Sequence, residues 1–137
     1  MCHQPFPYTI STDKTRLQTE RIYQMLRQTH WAGRRTYETV LKSIENALCY
    51  GVYDGERQIG FCRVISDYAT MYYISDVIVD PDYRNQGVAS TMVLTIVNDE
   101  KFKRLMGILT TQKAHGFYEK HGFLIDNHRF MFKPRQD

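Results

Sequence analysis

The chain has 137 residues, 42% of them hydrophobic, with a formal net charge of +3 and a pI near 8.8. That length reads as a single domain over residues 1–137 with its own core, and a mild charge with no basic block argues against nucleic-acid binding. No apolar run of about 18 residues exists and the first residues lack a basic region followed by an apolar stretch, so the sequence predicts no membrane span and a cytoplasmic location.

Tyr8 to Ser11 reads as a first strand and Leu17 to Thr29 as a helix with Ile22, Met25 and Leu26 on one face. Thr36 has the chemistry of an N-cap for a second helix, in which Tyr37, Val40, Leu41, Ile44 and Leu48 recur at helical spacing. From Cys49 the period changes to two. Cys49 to Tyr53, Ile59 to Ile65 and Met71 to Val79 predict three antiparallel strands, the first two joined at Asp54-Gly55, residues that tolerate the positive φ of a tight turn. Of three cysteines, Cys2, Cys49 and Cys62, two lie in apolar strand-like runs and none forms a Cys-x-x-Cys pair, so buried free thiols are expected.

Val88, Met92, Val93, Ile96 and Val97 form the stripe of a third helix, and Leu105 to Thr111 reads as a strand beside Val77 to Val79. A strand, helix, strand crossover makes that pair parallel. Ala114 to His121 is a fourth, short helix stopped at Gly122, a natural residue for a helix C-terminus. Phe123 to Ile125 and Arg129 to Lys133 predict a closing hairpin. The sum is an α+β domain with a mixed, mostly antiparallel sheet of six to seven strands and about four helices.

Residues 76 to 93 carry the chemistry. A strand ends at Pro81, a compact loop with Arg84 and Gly87 follows, and an amphipathic helix opens. Backbone N–H groups and the positive end of the helix dipole then converge on one point, a setting suited to a pyrophosphate. A P-loop would need Lys and Ser or Thr after its last glycine, and a dinucleotide fingerprint would need Gly-x-Gly-x-x-Gly. Neither is present, so this is a different anion binder, or Gly87 serves only a tight strand-to-helix connection with Arg84 at the surface.

Arg84-Asn85-Gln86-Gly87-Val88-Ala89 resembles the signature of the GNAT superfamily of N-acetyltransferases: Arg or Gln, two residues, Gly, one residue, then Gly or Ala. Phe117-Tyr118-Glu119-Lys120-His121-Gly122-Phe123 resembles a second element of that family at the expected distance. The resemblance covers residues 49 to 125. His30-Trp31-Ala32 with nearby arginines, and Ser43-Ile44-Glu45-Asn46, look like a group of small bacterial members.

The resemblance implies a splayed parallel pair holding acetyl-CoA, with backbone groups of Val77, Ile78 and Val79 along the pantetheine. It also implies Arg84 and the amides of Asn85, Gln86, Gly87, Val88, Ala89 and Ser90 around the pyrophosphate. Thr111 stands where many members place a cofactor-contacting Asn, and Tyr73 where several carry a catalytic Glu. Tyr118 corresponds to the general acid: a phenol with an ordinary pKa near 10 is protonated at neutral pH and can donate to the departing sulfur.

An amine acceptor must lose a proton, and Asp76, at the start of the apolar Val77 to Val79 stretch, is the candidate to attract it or assist; the alternative is an edge carboxylate paired with an arginine. Water could serve as the base. The resemblance puts Trp31 in a loop bordering the acceptor cleft, where it would stack on substrate, core packing being the alternative; Arg34 and Arg35 are either acceptor-carboxylate binders or a solvated pair. His115 and His121 lack metal-ligand spacing and read as surface or rim residues, so no metal is expected. The expected reaction is acetyl transfer from acetyl-CoA to a primary amine of a small molecule or peptide, by a monomer or homodimer. The alternative is a non-catalytic acyl-CoA-binding or protein-interaction module on the same fold.

Overall fold

The computed structural model describes residues 5–136. Its single sheet has five strands in the order β1-β2-β3-β4-β5: β1 Thr9–Ser11, β2 Leu48–Asp54, β3 Arg57–Ser66, β4 Met71–Val79 and β5 Met106–Ile108. The first four run antiparallel to their neighbours, and β4 and β5 are parallel. Four helices accompany them: α1 Thr19–Arg27, α2 Tyr37–Glu45, α3 Val88–Val97 and α4 His115–Glu119.

Each element has a local cause. Thr36 caps α2 by accepting from the Thr39 N–H at 3.1 Å, and Val40 and Ile44, one turn apart, face inward. The β2–β3 hairpin turns on Gly55 and Glu56, one residue later than the Asp54-Gly55 reading, with only Gly55 at positive φ (58°). At the N-terminus of α1, the backbone N–H of Gln18 donates to Gln58 Oε1 at 2.8 Å and the Gln58 N–H donates to Gln18 Oε1 at 3.1 Å. Gln58 is fully buried, and this reciprocal pair satisfies polar groups that burial would otherwise penalise.

Helices cover both faces of the sheet. On one, α3 brings Val88, Met92 and Ile96 against Tyr50, Val52, Val64, Tyr72 and Ile74. On the other, Ile22 and Leu26 of α1 and Val40 and Ile44 of α2 pack with Phe61 and Ile78. β4 serves both cores because its register against β3 shifts by one residue, from Phe61↔Ile78 to Arg63↔Ser75. Tyr72 and Ile74 face α3, whereas Ile78 faces α1 and α2. Period-two reading of Met71 to Val79 would put all three on one side; the bulge overrides it.

Three expectations are corrected. The sheet has five strands, because the hairpin from Phe123 to Ile125 and Arg129 to Lys133 does not form: residues 123–136 are irregular, and Leu124, Met131 and Phe132 are 90%, 91% and 73% exposed. β5 is shorter than Leu105 to Thr111 and pairs with Met71–Tyr73, not with Val77 to Val79. α1 begins at Thr19, after a separate 3-10 turn over Lys14–Arg16 whose N–H groups are capped by Asp13. Cys49 and Cys62 are free and buried, and Cys2 lies outside the described residues.

Candidate active site

The parallel ladder ends at Tyr73↔Ile108, while β4 continues to Val79. The strands part there, leaving one backbone flank of β4 without a strand neighbour among the described residues. Tyr73 and Thr110 mark the point of divergence, their hydroxyls 3.1 Å apart.

At the far end of β4 the Asp80 carboxylate accepts from the Asp82 N–H at 2.8 Å and opens a 3-10 turn over Pro81–Tyr83. The exposed stretch Arg84 to Gly87 follows, with Asn85 and Gly87 both left-handed, at φ 64° and 77°. Tyr8 steadies it by donating its hydroxyl hydrogen to Gln86 Oε1. Gly87 is the N-cap of α3, and the first helical bond runs from the Thr91 N–H to its carbonyl at 2.9 Å.

The N–H groups of Val88, Ala89 and Ser90 therefore have no acceptor within the helix. The first turn of α3 carries no acidic residue, so its positive end is not neutralised locally. A Cβ at Gly87 would meet no protein atom, so glycine is demanded by φ and the space beside the amides is open to a ligand.

Between this helix end, β4 and the loop after α1 lies a cavity of about 410 Å³. Val77, Ile78, Val79, Arg84 and Ala89 form one side, and His30 and Trp31 the other. Trp31 is half exposed and meets the His30 ring edge-on at 5.4 Å. His30 Nε2–H donates to Gln112 Oε1 at 3.1 Å, linking the loop after α1 to the segment after β5.

Tyr118 lies on α4, whose end is fixed by paired backbone bonds. The Phe123 N–H returns to the Tyr118 carbonyl at 3.2 Å and the Gly122 N–H to that of Glu119 at 3.2 Å, with Gly122 at φ 93°. This is the Schellman closure that the Gly122 stop predicts. The Tyr118 ring packs edge-on against Phe117 and Phe123. Burial, with a smaller contribution from the nearby Cys62 of β3, pushes its phenol up to about 12, so it remains a proton donor through the neutral range.

Thr111 Oγ1 accepts from the Ala114 N–H at 3.0 Å, which ties the approach to α4. His121 Nε2 lies 3.2 Å from Ser90 Oγ and joins α4 to the first turn of α3, while its Nδ1 is buried without a partner.

Asp76 is placed differently from the expectation of a cleft carboxylate. It sits in the β4 bulge at φ 56°, a left-handed conformation that costs a non-glycine residue ~1–2 kcal/mol. Its side chain is 1% exposed, and Oδ2 accepts from Arg35 Nη1 at 2.7 Å and from Arg63 Nε at 2.8 Å. Arg63 Nη2 also donates to Ser75 Oγ at 3.1 Å. Burial alone would raise the Asp76 pKa, but the hydrogen bond from Arg35 and the charge of Arg63 outweigh it and hold the carboxyl below its ordinary value. A carboxylate so enclosed is a poor proton acceptor, and Arg35 is not a free binder of acceptor carboxylates.

The sequence reading passed over Arg63 and Gln112 and gave His30 no role of its own. Arg63 had a visible signal, a lone cation inside the apolar run Ile59 to Ile65. The His30–Gln112 contact spans 82 residues and left none.

Comparison with known proteins agrees with this geometry. The family model for the acetyltransferase (GNAT) domain matches residues 45–124, more than half of the chain. A crystal structure from Xanthomonas campestris pv. campestris, assigned to the GNAT family, superposes with a TM-score of 0.86 at 32% identity, covering 94% of this chain and 96% of that one. An inferred acetyltransferase of Gibberella zeae is 27% identical over 135 residues, 80% of this chain and 75% of its own length. The chloroplastic GCN5-related N-acetyltransferase 2 of Arabidopsis thaliana is 32% identical over 66% of this chain, which spans 38% of that protein. The chain belongs to the GNAT family of acetyltransferases.

Proposed function

We propose that this protein transfers an acetyl group from acetyl-CoA to a primary amine of a small molecule or peptide, by direct attack of the amine. The observation that carries the reading is the gap between β4 and β5, which ends at the uncompensated N-terminus of α3. The residues there fit a pyrophosphate-bearing donor. The amides from Asn85 to Ser90 and the Arg84 guanidinium would hold the anion, and the backbone of Val77, Ile78 and Val79 would lie along the pantetheine arm. Acetyl-CoA supplies an activated thioester; the protein's part is to orient it, exclude water and manage two protons.

One of those protons goes to the departing sulfur from Tyr118, whose phenol recovers it from the attacking nitrogen as the amide forms. The other comes from the ammonium form of the acceptor. Asp76 is engaged by two guanidinium groups, so that proton leaves to water in the open mouth of the cleft. Trp31 offers the acceptor an exposed aromatic face.

The test is thiol release from acetyl-CoA across a panel of small amines and peptides, followed for wild type and Tyr118→Phe. With an accepted amine, the variant is expected to lose at least about 100-fold in turnover, the lower range for a general acid. Full turnover by Tyr118→Phe would end the acid assignment. Saturable acetyl-CoA binding with no acetylation of any amine would favour the non-catalytic module instead.

A further inference from the structure

The Asp76 cluster joins two parts of the cleft that sequence places far apart. Arg35 follows the loop carrying His30 and Trp31, the acceptor-side wall; Arg63 belongs to β3; Asp76 immediately precedes Val77, the first residue of the donor-side wall. Among the described residues, these two guanidinium groups donate to this carboxylate and to Ser75 Oγ alone. Its backbone is also the left-handed point beyond which Ile78 faces the opposite core from Tyr72 and Ile74.

We infer that Asp76, Arg35 and Arg63 form a clamp that positions both walls of the cleft at once. Asp76 is thus a positioning residue acting through the backbone of Val77, and Arg35 a positioning residue acting through the loop of His30 and Trp31. The two walls meet the donor and the acceptor respectively, so a loss on one wall is felt on the other. The division of labour rests on the acetyl-transfer reading, whereas the mechanical coupling does not.

Asymmetry within the cluster sharpens the inference. Arg63 is 9% exposed and comes from a strand already held by two neighbours, whereas Arg35 is 19% exposed and comes from a loop. Removing Arg35 leaves Asp76 with one of its two guanidinium partners, so the β4 bulge is held less firmly at the same time as the loop loses its tether. Removing the Asp76 charge releases both.

Hydrogen–deuterium exchange on Arg35→Gln and Asp76→Asn, each below its own unfolding transition, tests the coupling without any substrate. For Arg35→Gln, exchange is expected to rise at least about tenfold in residues 28–36 and also in residues 76–79, with Arg35→Lys restoring part of the protection. A rise confined to residues 28–36 would overturn the clamp, as would no rise at all. Should Asp76→Asn fail to fold, Arg35→Gln still decides.

Acetyl-CoA titration of the same variants by calorimetry then reads the functional side. Arg35→Gln, which alters only the acceptor-side contact directly, is expected to bind acetyl-CoA at least about fivefold more weakly than wild type. Wild-type affinity in a variant whose exchange has risen would show that the coupling does not reach the donor wall and would overturn that half of the inference. If wild type itself binds no acetyl-CoA, the acetyl-transfer reading fails while the exchange experiment still tests the clamp.

Discussion

A single carboxylate at residue 76 illustrates how far a side chain's role depends on its surroundings. Sequence singled it out because an acid beside Val77 to Val79 needs a reason, and the reason is two arginines rather than a proton to be moved. Its depressed pKa has a definite sign. The folded-state value lies below the ordinary 3.8, so the ionised group contributes stability above that pH, and this is lost as pH falls through the depressed value. Asp76→Ala, which strands two guanidinium groups, should cost about 3–5 kcal/mol at neutral pH. The difference from wild type should shrink as the solution is acidified below about 4. Urea unfolding at a series of pH values measures this; a pH-independent difference would mean that the cluster contributes packing and not charge. What was legible at this scale was chemical type: Tyr118, Gly87 and Gly122 stand in motifs whose spacing carries their geometry. Partners 41 and 82 residues apart, Arg35 for Asp76 and Gln112 for His30, leave no local trace.

At the scale of elements, the strand-to-helix connection from Asp80 to Val88 followed the sequence closely. Proline, aspartate and glycine each act through the backbone of their own turn, and local causes are the ones a sequence displays. Gly87→Ala tests the connection at its tightest point. With no protein atom near the added methyl, the penalty is conformational, about 1–2 kcal/mol for a residue held at φ 77°. If the loop relaxes to escape it, the amides at the head of α3 lose their common aim. Thermal unfolding and acetyl-CoA calorimetry together are expected to show a modest fall in stability and a drop of tenfold or more in affinity. Unchanged affinity would remove this helix end from the donor site. The β4 bulge was not legible, because an extra residue in a strand is defined by its partner's register; likewise, β propensity in Phe123 to Ile125 and Arg129 to Lys133 says nothing about whether an edge is available to pair with.

Across the whole molecule, the order of strands and helices, the mixed sheet and its parallel pair were all readable, since they follow from periodicity and the rules of chain connection. The strand count was not. Beyond Gly122 the described chain contributes little to either core, and the large side chains of residues 124–132 are mostly exposed. Trypsin under native conditions should therefore cut first after Arg129, whose side chain is 80% exposed, and leave the sheet and helices folded. Mass spectrometry of the early fragments with circular dichroism of the nicked protein checks this; protection of Arg129 until global unfolding would show that the segment is paired in solution.

The extra residue in β4 gives this strand something like a reading frame. Downstream of it, Ile78 is delivered to the layer under α1 and α2, and Val77 and Val79 to the layer under α3. Deleting one residue at position 76 would restore uninterrupted alternation and exchange those assignments, as a single-base deletion changes every codon after it. The bulge can thus tolerate substitution of its side chain at an energetic cost, whereas loss of its length would misdirect the whole end of the strand that lines the cleft.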